Sequence, residues 1–239
     1  MAKRKPIRKG VLILAALLLS VILYVAGVYS GLNASKLLES KVNTDVTYLR
    51  GFIDNSALDI KNLQLQQLFI DSFETGNSRN KCTFLDLYVD HLYTQMGSYW
   101  DALPARLESY EQTHTPTDEY TALKREYIRF SLRYWLIARQ DYEFCSNTKV
   151  VPLLYFYSKD CTNCVRQGEQ FDLFTKDMQG YNKTVIVFPV DGDFPDDTTY
   201  LLKVYYNITA YPAIVWLDRP VQGRVFSGDE IKAMVQAQK

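Results

Sequence analysis

Two cysteines separated by two residues, Cys161-Thr162-Asn163-Cys164, are the part of this sequence best suited to chemistry. Sulfurs at that spacing reach each other at the start of a helix, so the pair can alternate between a dithiol and a disulfide. The reactive species in such exchange is the thiolate. A helix N-terminus favours it, because unpaired backbone N–H groups and the helix dipole stabilise negative charge. Cys161, the first of the pair, is the expected exposed nucleophile. Cys164, one turn further in, is the expected buried resolving thiol that releases a mixed disulfide. Thr162, Asn163 and the preceding Asp160 are the candidate tuning residues. Asp160 opposes the thiolate, whereas Lys159 and Arg166 favour it.

The elements that must position this pair are read from the pattern around it. Val150–Tyr157 is a continuous apolar, β-prone run, as a buried parallel strand requires. Ser158-Lys159-Asp160 turns the chain, and Cys161 opens a helix to about Met178. Thr184–Asp191 is a second buried strand, followed by a helix at about 198–206. Ala213–Leu217 and Arg224–Phe226 read as two further strands with Gly223 in or near their turn, and a last helix covers 229–238. The order is βαβ followed by αββα.

This segment, about 149–239, resembles the thioredoxin superfamily. Three features carry the likeness: the Cys-x-x-Cys after the first strand, Tyr211-Pro212 directly before the third strand, and the order of elements. The resemblance implies a four-stranded mixed sheet with flanking helices, a cis peptide bond before Pro212, and a loop at Tyr211 and Pro212 that binds a substrate segment beside the cysteines. It also implies thiol–disulfide exchange with no cofactor. Two positions depart from the usual family pattern. Asp160 stands where a Trp is common, and Tyr155 stands where a buried acid assists proton transfer in reducing members. These departures favour oxidase or isomerase over reductase. A non-catalytic binding or assembly module with a static Cys161–Cys164 disulfide is the competing reading.

Upstream, residues 32–147 read as an extracytoplasmic helical domain. Glycines are few, Pro104 is the one internal break before the 115–119 turn, and apolar residues recur at three- and four-residue intervals. One stripe runs through Leu37, Leu38, Val42, Val46, Leu49 and Phe52. Asp54-Asn55-Ser56 caps a second helix that ends near Gly76. Two long helices come next, about 83–111 and then from Thr117 to Phe144, with Pro104 expected to kink or divide the first. With the turn near Thr113 and His114, Cys82 and Cys145 lie equidistant from it and face each other across an antiparallel helical hairpin. That geometry favours a structural Cys82–Cys145 disulfide. The hairpin is either a spacer or a docking surface carrying Tyr99, Trp100, Tyr134 and Trp135.

At the start, Val11–Ser30 is twenty residues without a charge, preceded by Lys3, Arg4, Lys5, Arg8 and Lys9. A helix of that length spans the roughly 30 Å hydrocarbon core of a bilayer. The basic flank puts residues 1–10 on the cytoplasmic side and everything after Gly31 outside. A cleaved signal peptide ending near Ser30 is the alternative. Either way disulfides are admissible in the rest of the chain. The expected localisation is a cell membrane crossed once, and the expected partners are cysteine-containing extracytoplasmic proteins and a membrane redox partner. Lys+Arg and Asp+Glu balance at 27 each, which gives no pull toward nucleic acid. His91 and His114 lie far apart without metal-ligand spacing, so no metal site is expected.

Overall fold

The computed structural model describes residues 18–30, 46–51, 53–54, 78–113 and 115–237. These fall into two compact units, one within Met1–Thr47 and the other within Tyr48–Lys239. In the first, residues 18–30 form a helix whose side chains are all exposed, Leu18, Leu19, Val21, Ile22 and Leu23 among them. Among the described residues no helix is long and apolar enough to cross a membrane. The basic cluster and residues 11–17 of the expected span lie outside the described residues. So do most of the 37–52 stripe, the helix expected after Asp54-Asn55-Ser56, and the side chains of Tyr99 and Trp100.

The second unit begins within the short helix at 46–51, where Leu49 is buried and the Arg106 guanidinium lies 4.3 Å from the Tyr48 ring centroid. Two long helices come after it, α1 (Ser78–Thr113) and α2 (Asp118–Phe144). Pro104 does not divide α1, which runs through it without a break. The cap of α2 comes from Thr117, whose hydroxyl accepts the Tyr120 N–H at 3.2 Å, so its start is set by a local side-chain bond. Cys82 and Cys145 are disulfide-bonded across the open end of this hairpin. Beside the bridge, Asn147 Nδ2 donates to Asp86 Oδ1 at 2.6 Å and to Asp141 Oδ2 at 2.7 Å, tying α1 and α2 together a second time.

Four strands make the sheet: β1 (Val150–Tyr157), β2 (Thr184–Asp191), β3 (Ala213–Trp216) and β4 (Arg219–Gln222). Their order is β2-β1-β3-β4, with β1 parallel to β2 and antiparallel to β3, and β3 antiparallel to β4. Three helices join or flank the strands, α3 (Thr162–Gln179), α4 (Asp197–Tyr205) and α5 (Gly228–Gln236). A four-stranded mixed sheet with flanking helices in this order is compatible with a thioredoxin-like fold.

Strand alternation divides the core into two layers. Val151, Leu153 and Tyr155 of β1 pack with Phe171, Phe174 and Met178 of α3, and with Ile231 and Val235 of α5. On the other face, Tyr134 of α2 packs edge-on against Phe188 of β2 and Trp135 against Tyr206, whereas Tyr142, near the end of α2, meets Trp216 edge-on within the first layer. Tyr134 and Trp135 are therefore core residues, each 1% exposed.

The fourth strand lies earlier than the sequence indicates. It is Arg219–Gln222, joined to β3 through Leu217 and Asp218, with Leu217 at φ 55°. Arg224–Phe226 is not a strand. Its backbone is taken by Gln167, whose Oε1 accepts the Phe226 N–H at 2.8 Å and whose Nε2 donates to the Phe226 carbonyl at 3.1 Å. Gly223, at φ 86°, ends the strand rather than making the hairpin turn.

The hairpin bridge closes 63 residues of sequence, so the chain-entropy estimate gives it about 4 kcal/mol. Replacing Cys82 and Cys145 together by Ser is expected to lower the unfolding free energy by a few kcal/mol, read by chemical denaturation. An unchanged midpoint would show that the bridge does not hold the hairpin. A pH effect comes from the same corner of the structure. Burial pushes the Asp141 carboxyl up to about 6, with Asp86 adding to the rise and the Asn147 amide opposing it. A raised acid pKa means that the native state binds more protons than the unfolded chain between about pH 4 and 6. Stability contributed by this group is therefore full below that window and is lost as pH rises through it. Asp141→Asn is expected to flatten this slope and to gain about 1–2 kcal/mol at neutral pH after discounting for solvent screening. Denaturation at about pH 4.5 and about pH 7.5, on either side of the folded value, reads it.

Candidate functional site

Cys161 is the N-cap of α3, in an extended conformation, and no side chain caps that end. The first turn holds no acidic residue. The orphan N–H groups and dipole of α3 therefore act at the helix end that carries Cys161 without competition from a carboxylate of that turn. Its backbone N–H donates to the Ser158 carbonyl at 3.1 Å, and its carbonyl accepts the Cys164 N–H at 2.9 Å. Cys161 and Cys164 are disulfide-bonded. Both are partly exposed, so Cys164 is less deeply placed than a buried resolving thiol would be. Thr162 and Asn163 are exposed on the outer side of the same turn, and Asp160 is exposed just before it.

Tyr155 lies on β1, 7% exposed, beneath α3. Its hydroxyl donates to the Cys164 carbonyl at 3.2 Å, and its ring meets Phe171 edge-on. A phenol thus sits beside the backbone of the second cysteine, where the resembling family keeps an acid. As the donor of that bond, the phenol orients the backbone of the first turn of α3.

The Tyr211–Pro212 bond is cis. Phe156 pairs with Ala213 across β1 and β3, which brings Pro212 level with the exit of β1, the end from which Ser158 leads to Cys161. The end of β2 arrives at the same place, since Tyr157 pairs with Asp191 and the Gly192 N–H donates to the Tyr157 carbonyl at 2.8 Å. Burial raises the Tyr211 hydroxyl above its ordinary value; Lys203 opposes the rise and Asp193 adds to it. Burial likewise raises Tyr157, with the Asp191 and Glu111 carboxylates adding to it.

The structure thus brings Cys161, Cys164, Tyr155, Tyr211 and Pro212 to one end of the sheet. Cys82 and Cys145 belong to the hairpin. Sequence reasoning did not find Ser158, Gly192, Asp193 and Lys203, which lie around Tyr211 and its hydrogen-bond partner, or the Lys124 ion pairs with Glu111 and Asp191 at the end of β2. An Asp-Gly-Asp run at a strand end reads as a turn and nothing more, and a Lys on an amphipathic helix reads as solvated.

No family model matches the chain, and no curated protein matches it. Among solved structures, the first thioredoxin domain of mouse protein disulfide-isomerase A4 is 19% identical, with 40% of this chain and 67% of that chain covered and a TM-score of 0.28. A malarial protein is 20% identical, with 38% of this chain and 97% of that chain covered and a TM-score of 0.27. The compatibility of this chain with a thioredoxin-like fold rests on its own element order and sheet topology.

Proposed function

We propose that the chain is a thiol–disulfide oxidoreductase acting on cysteine-containing proteins, with oxidation or isomerisation favoured over reduction. The observation that carries this reading is the Cys161–Cys164 disulfide at the uncapped N-terminus of α3, at the sheet end that also carries the cis Tyr211–Pro212 bond. In the oxidising direction, a substrate thiolate attacks Cys161 Sγ, the Cys161–Cys164 bond breaks, and Cys164 leaves as the thiolate. A second substrate thiolate then attacks the substrate sulfur of the mixed disulfide and releases Cys161. Two electrons pass from substrate to chain, and a disulfide-bearing redox partner must take them back to restore the pair. Isomerisation runs the second exchange in reverse, the Cys161 thiolate attacking a substrate disulfide and freeing one substrate thiolate, and then forward with a different substrate thiolate that displaces Cys161, so it needs no net oxidant. Tyr155 in place of an acid, and a second disulfide in the same unit, favour these directions.

In the same reading the chain is held at a membrane. Residues 11–30 would anchor it, residues 1–10 would face the cytoplasm, and the cysteine-bearing unit would lie outside with its substrates and a membrane redox partner. Support comes from the uncharged run, its basic flank, and the helical, outward-facing apolar side chains at 18–30. Carbonate extraction of the full chain is expected to leave it in the membrane fraction, and release would refute the anchor.

Cys164→Ala tests the chemistry. Without the resolving thiol, mixed disulfides through Cys161 should persist and separate on reduction. An empty trap, together with a wild-type pair that does not exchange with a reduced or scrambled protein, would identify a static disulfide in a binding module.

A further inference from the structure

We infer that Gly192 and Asp193 are positioning residues that hold Tyr211 against the cysteine-bearing loop and so set where a protein substrate's chain must lie. The inference rests on the oxidoreductase reading above and concerns how that site selects extended polypeptide over a small disulfide.

Gly192 matters through the side chain it lacks. It sits just after β2, its φ is not in the left-handed region, and its backbone therefore makes no demand for glycine. Its surroundings do. A Cβ at this position would overlap the Tyr211 hydroxyl and lie 2.5 Å from the Tyr211 Cζ. The phenol of the residue before the cis-proline therefore occupies the space that any other residue at 192 would fill.

The polar contacts around that ring lead back to the cysteines. Tyr211 donates its hydroxyl to Asp193 Oδ1 at 3.3 Å, and Ser158 donates its hydroxyl to Asp193 Oδ2 at 2.6 Å. Ser158 in turn accepts the Cys161 N–H through its carbonyl. One carboxylate thus bridges the loop that carries the nucleophile and the loop that carries the cis-proline. Lys203 supports the bridge from α4. Its Nζ donates to the Gly192 carbonyl at 2.7 Å, lies 3.9 Å from Asp193 Oδ1, and stands 5.3 Å from the Tyr211 ring centroid. The Asp193 N–H donates to Asp191 Oδ1 at 3.1 Å, which fixes the carboxylate's own backbone.

Asp193 is about half exposed, so each of these bonds is individually modest. Their joint effect is geometric. A polypeptide laid beside Pro212 meets a Tyr211 backbone whose side chain is already fixed, and near-attack geometry at Cys161 depends on that register. A small disulfide reaches Cys161 without using the loop.

The test compares two rate constants for the reduced full chain, one with a cystine-bridged peptide and one with hydroxyethyl disulfide. In both, Cys161 attacks, Cys164 resolves, and the disulfide reagent is reduced as the chain is oxidised. Gly192→Ala is expected to displace the Tyr211 ring and to lower the peptide-to-small-disulfide ratio about tenfold. Asp193→Ala, at a more exposed position that tolerates truncation, is expected to lower it in the same sense. Asp193→Asn should restore most of it, because the amide can still accept from Tyr211 and donate to the Ser158 oxygen. A ratio unchanged in Gly192→Ala and Asp193→Ala, or equal losses on both reagents, overturns the inference alone. A wild-type chain inert toward both reagents overturns the oxidoreductase reading, and the inference with it.

Discussion

The Lys124 ammonium is 1% exposed to solvent and lies between Glu111 Oε1 at 2.5 Å and Asp191 Oδ2 at 2.6 Å, with the Phe194 ring centroid 5.0 Å away. Removing such groups from water costs several kcal/mol each, and the cost is offset only when opposite charges meet in good geometry. Three elements must therefore arrive together: α1 with Glu111, α2 with Lys124, and the last residue of β2. Tyr120 adds a fourth contact, donating to Glu111 Oε1 at 3.1 Å and to the Leu107 carbonyl at 3.2 Å. A hairpin docked one turn out of register would leave charges buried and unpaired, an error of about 3–5 kcal/mol for a single lost partner. The network thereby fixes the end of β2, and the placement of the residues that flank Tyr211 depends directly on it.

The hairpin is clamped to the sheet at both ends, by different chemistry. At its open end the Cys82–Cys145 bridge lies four residues before Lys149, whose carbonyl accepts the Thr184 N–H where β1 and β2 begin. Near its closed end, Glu111 and Lys124 meet Asp191 where those strands finish. An eight-residue strand spans about 26 Å, and the helical stretch from Lys124 to Cys145 about 33 Å, so α2 is long enough to reach from one clamp to the other. The helical segment is thus a structural layer of the same unit, and its tip is carried to the end of the sheet that bears Cys161. With α2 against Phe188 and Tyr206, α4 is left with Tyr200, Leu201, Val204 and Tyr205 exposed.

Much of this was legible in the sequence, for identifiable reasons. β1 is buried on both faces and β2 on one face and half-buried on the other, and continuous apolar runs bounded by turn residues give them away at 150–157 and 184–191. The hairpin cysteines are found by symmetry about a turn, and the Thr117 cap by its residue type. β4 is illegible because it is an edge strand of exposed and half-buried residues containing Pro220, so neither apolar periodicity nor β propensity marks it. Its turn is illegible too, since Leu217 takes a positive φ that Asn or Gly would ordinarily announce. Arg224–Phe226 misleads for the opposite reason. It has strand-like residues, but the Gln167 side chain, 59 positions away, occupies its hydrogen-bonding groups. The Lys124–Asp191 pair, 67 residues apart, leaves no local trace at all.

Tyr155 is where sheet register and helix packing meet at the cysteines. Its position on β1 is fixed by pairing with Pro189 on one side and Ile214 on the other, and its ring by Phe171 of α3. The hydroxyl then has a defined partner in the Cys164 carbonyl, at the first turn of the helix whose N-terminus serves Cys161. A carboxylate at this depth would need its own counter-charge. A phenol satisfies the same space with one neutral hydrogen bond and no buried charge. The space beneath the cysteines is filled by a ring that packs on α3 and whose hydroxyl orients the backbone of its first turn.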